Sequence, residues 1–241
     1  MVRKSGPLSP APVVEPLRQV PRRLPKGINA LPPAVVLVSQ MARLVEATAR
    51  VVGDKGYADT TVADIIARAG VSRTTFYQLF KDKEACFLSC FEQLSTAHTQ
   101  AMESSLAEPG EPPRRLTRAL SVWLQRLDAD QAYAKAFIGE AQAATPRIQQ
   151  AFMGARQHLG LRLREWLDQA RSEHPEVPAP TGAGFELMLT GLTGYVVMQV
   201  RAGQPLAPQT QDIAAFIFAA LGVPRWAQSP QGGTSQETSP I

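Results

Sequence analysis

The stretch Gly70 to Glu84, GVSRTTFYQLFKDKE, decides the fold. A glycine turn leads through Ser72, a good cap, into a short helix whose inner side is Phe76, Leu79 and Phe80. Its other side shows Arg73, Thr74, Tyr77, Gln78 and Lys81. A solvated helix face is ordinarily made of Glu and Lys. This one carries side chains whose donors and acceptors match the edges of bases.

Outward from it the chain is helical. Upstream, Thr61 caps a helix with Asp64 three residues on, a capping box, and Val62, Ile65, Ile66 and Ala69 form its buried face before Gly70 stops it. Further upstream, Met41, Leu44, Val45, Thr48 and Val52 follow one helix face, closed by Asp54-Lys55-Gly56 with Gly56 as a left-handed cap. Downstream, Asp82 caps a fourth helix that starts at Lys83. Three short helices, the last two joined by a tight glycine turn, make a helix-turn-helix, whose second member lies in the DNA major groove.

That placement accounts for the face. Arg73 can donate to guanine O6 and N7, Gln78 can pair with adenine N6 and N7, and Thr74 and Thr75 offer hydroxyls and methyls. Tyr77 and Lys83 are candidates for phosphate, as are the hydroxyls of the caps Thr61 and Ser72.

The run Thr60 to Phe87, TTVADIIARAGVSRTTFYQLFKDKEACF, resembles the DNA-binding domain of the TetR family of bacterial transcriptional regulators, over about residues 34–90. The resemblance implies an all-α homodimer with an N-terminal helix-turn-helix domain and a larger helical domain that binds a small inducer. It also implies base contacts from Arg73, Thr74 and Gln78 and phosphate contacts from Tyr77 and Lys83. Ile66 stands where many members have alanine, and Ala63 where many have a basic residue.

Residues 91–223 are expected to form the ligand-binding and dimerisation domain, with helices near 113–128, 130–144, 146–173, 182–203 and 208–221. Phe185 to Val200 and Ala214 to Leu221 are apolar on more than one face, and a helix apolar all round must be buried on all sides. The alternatives are an intrachain core and a dimer bundle. The candidate interface residues are Leu189, Leu192, Tyr195, Val196, Phe216 and Ala220. Trp123, Tyr133, Phe137, Phe152, Trp166 and Met198 are candidates for a cavity, with Glu140 and His158 as polar anchors; plain core is the competing reading. Few charges fall in apolar contexts here, which favours an apolar or amphipathic inducer.

Charge is uneven along the 241 residues, whose net charge is +4. Residues 1–33 hold six basic side chains against one acid, together with eight of the twenty prolines, so a disordered basic arm is expected there. A flexible tail is expected over 224–241. Two cysteines make no disulfide framework; Cys86 and Cys90, at i, i+4 beside Phe87 and Phe91, are expected to be buried thiols rather than a metal site. No apolar stretch reaches the roughly 20 residues of a membrane span, and no secretory signal is visible, so a soluble cytoplasmic protein is expected. No cofactor motif, nucleophile–base pair or phosphate loop is present, which argues against an enzyme. The expectation is a sequence-specific regulator, a repressor released from a palindromic operator by its ligand. The alternative is an architectural or cell-division DNA-binding factor without a ligand, and a cavity would separate the two.

Overall fold

The computed structural model describes residues 33–223, so the basic arm before Pro33 and the polar tail lie outside the described residues. Among these the chain is helical and contains no strand. The elements are α1 (Pro33–Lys55), α2 (Val62–Ala69), α3 (Arg73–Leu79), α4 (Lys83–Leu106), α5 (Pro112–Ala129), α6 (Gln131–Tyr133), α7 (Pro146–Glu173), α8 (Gly182–Ala202) and α9 (Thr210–Leu221).

The first four helices begin and end where their caps dictate. Thr61 accepts from the Asp64 amide and Asp64 answers the Thr61 amide, closing the capping box. Gly70 takes the left-handed conformation (φ 62°) that ends α2. Ser72 accepts from Thr75 N, and Asp82 from Ala85 N. α1 and α2 pack side by side, with α3 set against them through Phe76 and Phe80. α4 then leaves this unit and lies along α5 and α7, so one helix belongs to both halves of a single continuous core that runs from Leu44 to Val223.

One expected helix is broken, and another begins two residues late. The segment 130–144 is not one helix. Asp130 caps a fresh turn, α6, which widens into a π-helical turn over Ala134–Gly139 and then a 3-10 turn over Ala141–Ala143. The π turn is buried between α1, α4 and α8, with Phe137 fully enclosed and set against Phe87 (4.6 Å between ring centroids), Phe91 (6.1 Å) and Tyr133 (5.4 Å). Arg201 of α8 donates to the carbonyl of Gly139 at its end (2.9 Å). Likewise 208–221 starts as a 3-10 turn over Ala207–Gln209. The Asp128 carboxylate accepts from Leu206 N (2.9 Å) and Ala207 N (2.8 Å), and α9 begins only at Thr210. No helix among the described residues is long and apolar enough to cross a membrane.

Candidate nucleic-acid interface and internal cavity

α3 is held from beneath and left open above. Phe76 is fully buried, its ring edge-on to Tyr77 (5.3 Å) and tilted against Phe80 (5.7 Å). Arg73, Thr74, Tyr77 and Gln78 are all exposed on one face, and the Arg73 guanidinium carbon lies 5.5 Å from the Tyr77 ring centroid. Thr75 is half-buried, its hydroxyl paired with that of Ser72 (2.9 Å).

Long-range contacts invisible in the local pattern fix the neighbours of α3. Arg43 of α1 donates to the carbonyls of Ala69 (3.3 Å) and Gly70 (3.2 Å), capping the end of α2 at the turn itself. Lys55 pairs with Asp64 (2.9 Å). Hydrogen bonds from Thr61, then from Lys55, hold the Asp64 carboxyl down at about 2.

Two phosphate candidates are already engaged by the chain itself. Lys83 Nζ donates to the carbonyls of Tyr57 (2.7 Å), Thr60 (2.7 Å) and Ala58 (3.4 Å) and lies 4.3 Å over the Tyr57 ring. Its three protons are engaged by this chain, and burial lowers its pKa. Lys83 is thus a clasp between α4 and the loop before α2 rather than a free cation. Thr61 donates its one O–H to Asp64 (2.6 Å), leaving no proton for a phosphate oxygen. Lys83→Met is expected to destabilise the fold by about 1–3 kcal/mol, the worth of hydrogen bonds to a charged donor. Denaturant titration checks this, and the salt dependence of DNA binding is expected to stay as in the parent.

Behind this unit a cavity of about 90 Å³ lies among α4, α5, α6 with its π turn, α7 and α8. Of the sequence candidates, Trp123, Tyr133 and Phe152 line it. The others do not. Phe137 is core behind the lining, and Trp166 is buried elsewhere, donating to the Pro112 carbonyl (3.0 Å). Glu140 accepts from the Tyr57 amide (3.4 Å), His158 faces Glu103 on the surface (3.3 Å), and Met198 is 55 % exposed on the outer side of α8. The lining that composition missed is a stripe of α4 (Phe91, Ser95, His98 and Met102, at i, i+4, i+7 and i+11) together with Arg156 of α7. The His98 ring stacks on Tyr133 at 4.2 Å, and burial pushes the Tyr133 phenol well up.

The interface candidates divide. Leu189, Leu192 and Val196 are each 2 % exposed and belong to the chain's own core. Leu189 Cδ2 lies 2.8 Å from where a Cβ on Gly160 would stand, so it fills the space that this glycine of α7 leaves. Tyr195 is half-buried and donates to Gln209. Phe216 (49 % exposed) and Ala220 do face outward. Beside them α8 presents Leu187 (73 % exposed), Gly191, Gly194 and Met198, at i, i+4, i+7 and i+11, with the Phe216 ring over Gly191. An apolar strip of this kind on a helix surface marks an unfilled contact.

Cys86 and Cys90 are free and fully buried, with Thr48 against Cys86 (3.4 Å). Burial pushes the Cys90 thiol well up, while a hydrogen bond with Cys90 holds that of Cys86 down. No cluster of three or more His, Cys, Asp or Glu that could hold a metal ion occurs among the described residues.

Residues 44–90 match the family model described as bacterial regulatory proteins, tetR family. The HTH-type transcriptional regulator EthR of Mycolicibacterium smegmatis is 26 % identical over 136 residues, 56 % of this chain and 61 % of that protein. The chain therefore spans about three-fifths of that curated relative. Among solved structures, the fatty acid degradation regulator FadR of Bacillus halodurans superposes with a TM-score of 0.68 at 18 % identity, over 80 % of this chain and 98 % of that one. FadR of Bacillus subtilis, solved in complex with stearoyl-CoA, gives 0.65 at 20 % identity, over 74 % and 97 %. At such identities these two structures are alike in fold.

Proposed function

The chain belongs to the TetR family of bacterial transcriptional regulators, and from that premise we propose that it is a homodimeric repressor that leaves a palindromic operator when a small amphipathic ligand enters its cavity. One observation carries the DNA half of this proposal: a helix, α3, capped at its start by Ser72, that presents Arg73, Thr74, Tyr77 and Gln78 together on an open face. Arg73 and Gln78 can read purine edges, Thr74 can meet a thymine methyl, and Tyr77 can donate to a phosphate. The exposed strip of α8 and α9 supports a two-fold dimer, since pairing it with its own copy covers Leu187, Met198 and Phe216 at once. The cavity supports a ligand over a purely architectural role, and its largely apolar lining suits an amphipathic one, as does the stearoyl-CoA bound by the Bacillus subtilis neighbour.

Arg73→Ala is expected to cost about 1–3 kcal/mol of operator affinity and to relax preference at one base pair per half-site. Binding to a panel of single-base operator variants measures it. Unchanged discrimination at every position would remove Arg73 from base reading.

A further inference from the structure

Arg156 is the single Arg or Lys among the described residues that line the cavity, and no Asp or Glu lines it. Its guanidinium is mostly covered, with its side chain 17 % exposed. It donates to the Thr190 hydroxyl (2.7 Å) and, less closely, to the Glu186 carboxylate (3.3 Å). Its Nε–H is buried and has no acceptor among the described residues. Glu186 is 60 % exposed, so the pairing is one that solvent weakens. A buried donor without an acceptor, beside a cavity that no acid lines, suits an anion.

We propose that the cavity takes a compact aromatic or branched monocarboxylate, whose carboxylate binds Arg156 in place of Glu186 while its apolar body fills the space behind. This rests on the ligand-responsive reading above and adds the chemistry of the ligand. The Glu186 carboxylate already accepts from the guanidinium, and bidentate pairing with a planar carboxylate is the strong form of that contact. A lipophilic cation would meet the Arg156 guanidinium in a cavity that no acid lines. Phe91, Trp123, Tyr133 and Phe152 offer ring faces and edges, which suit an aromatic body. Size points the same way. An apolar cavity of about 150 Å³ holds benzene, so the present 90 Å³ needs a modest widening for one ring. A long acyl chain would need the helices to part. Release of Glu186 from Arg156 would also break one of the ties between α7 and α8, the helix that carries the exposed strip.

Calorimetric titration of the full-length protein with phenylacetate, phenylacetamide, phenethylammonium and stearoyl-CoA tests the proposal. Phenylacetate is expected to bind at least about tenfold more tightly than its amide, the worth of a hydrogen bond to a charged group, and the cation not at all. Arg156→Gln is expected to abolish the preference for acid over amide. Glu186→Gln, which removes the competitor, is expected to tighten phenylacetate and leave the amide unchanged. A merely structural Arg156 would produce no such gain. The proposal is overturned if the amide or the cation matches the acid, if stearoyl-CoA binds more tightly than phenylacetate, or if Glu186→Gln brings no gain. Operator binding without ligand is measured alongside: a protein that binds operator but ignores phenylacetate overturns this proposal and leaves the regulator standing.

Discussion

With Leu187 and Phe216 both changed to aspartate, the purified protein is expected to run as a monomer and to hold operator about 100- to 10 000-fold more weakly, the factor that joining two binding units confers. Both side chains are exposed in the single chain, so neither aspartate disturbs the core. In a two-fold bundle each would appear twice at the contact, placing four carboxylates in an apolar interface with no cation to pair them. The helices should therefore remain, by circular dichroism, while mass by light scattering halves. A double variant that stays dimeric and binds operator normally would place the interface elsewhere.

Phe137→Ala is expected to cost about 3–5 kcal/mol of stability, the range for truncating a fully buried aromatic. The ring sits where the π turn meets α1, α4 and α8, against Phe87, Phe91 and Tyr133, and nothing nearby can collapse into the space without moving a helix. Leu161→Ala serves as the control: with 54 % of its surface exposed it should stay within about 0.5 kcal/mol of the parent. Urea unfolding of the two variants separates these outcomes. A Phe137→Ala loss below about 1 kcal/mol would mean that the π turn is not packed as described.

What was legible in the sequence is what acts within a few residues of itself. Thr61 with Asp64, Gly70, Ser72 and Asp82 each fix a helix end through atoms no more than about one turn away, so their spacing alone announces the helix-turn-helix. Lys83 shows the limit. Its position at the start of α4 is local information, but the carbonyls that capture it belong to residues 57–60, and no spacing rule connects them. Arg43 at the α2 end is the same case. The break in 130–144 escaped because its alanine-rich run reads as an ordinary helix despite Gly139, and the π turn forms where Phe137 is enclosed by side chains far away in sequence. On α8 the difficulty was symmetry. A helix apolar all round does not say which side is inward, so Leu189 and Leu187 look alike in sequence while one is core and the other is 73 % exposed. The α4 stripe was readable in principle, since Phe91, Ser95, His98 and Met102 keep helical spacing, but it becomes a cavity wall only when α5 and α7 close around it.

The central claim is that a two-fold dimer sets two copies of α3 into successive major grooves. Selecting duplexes bound by the full-length protein from a random pool, and sequencing them, tests it most directly. The expected product is an inverted repeat whose half-site centres lie about 10–10.5 base pairs apart or a multiple of that, with purines at the positions that Arg73 and Gln78 face. Enrichment of a single unrepeated site, or of no site at all, would contradict it.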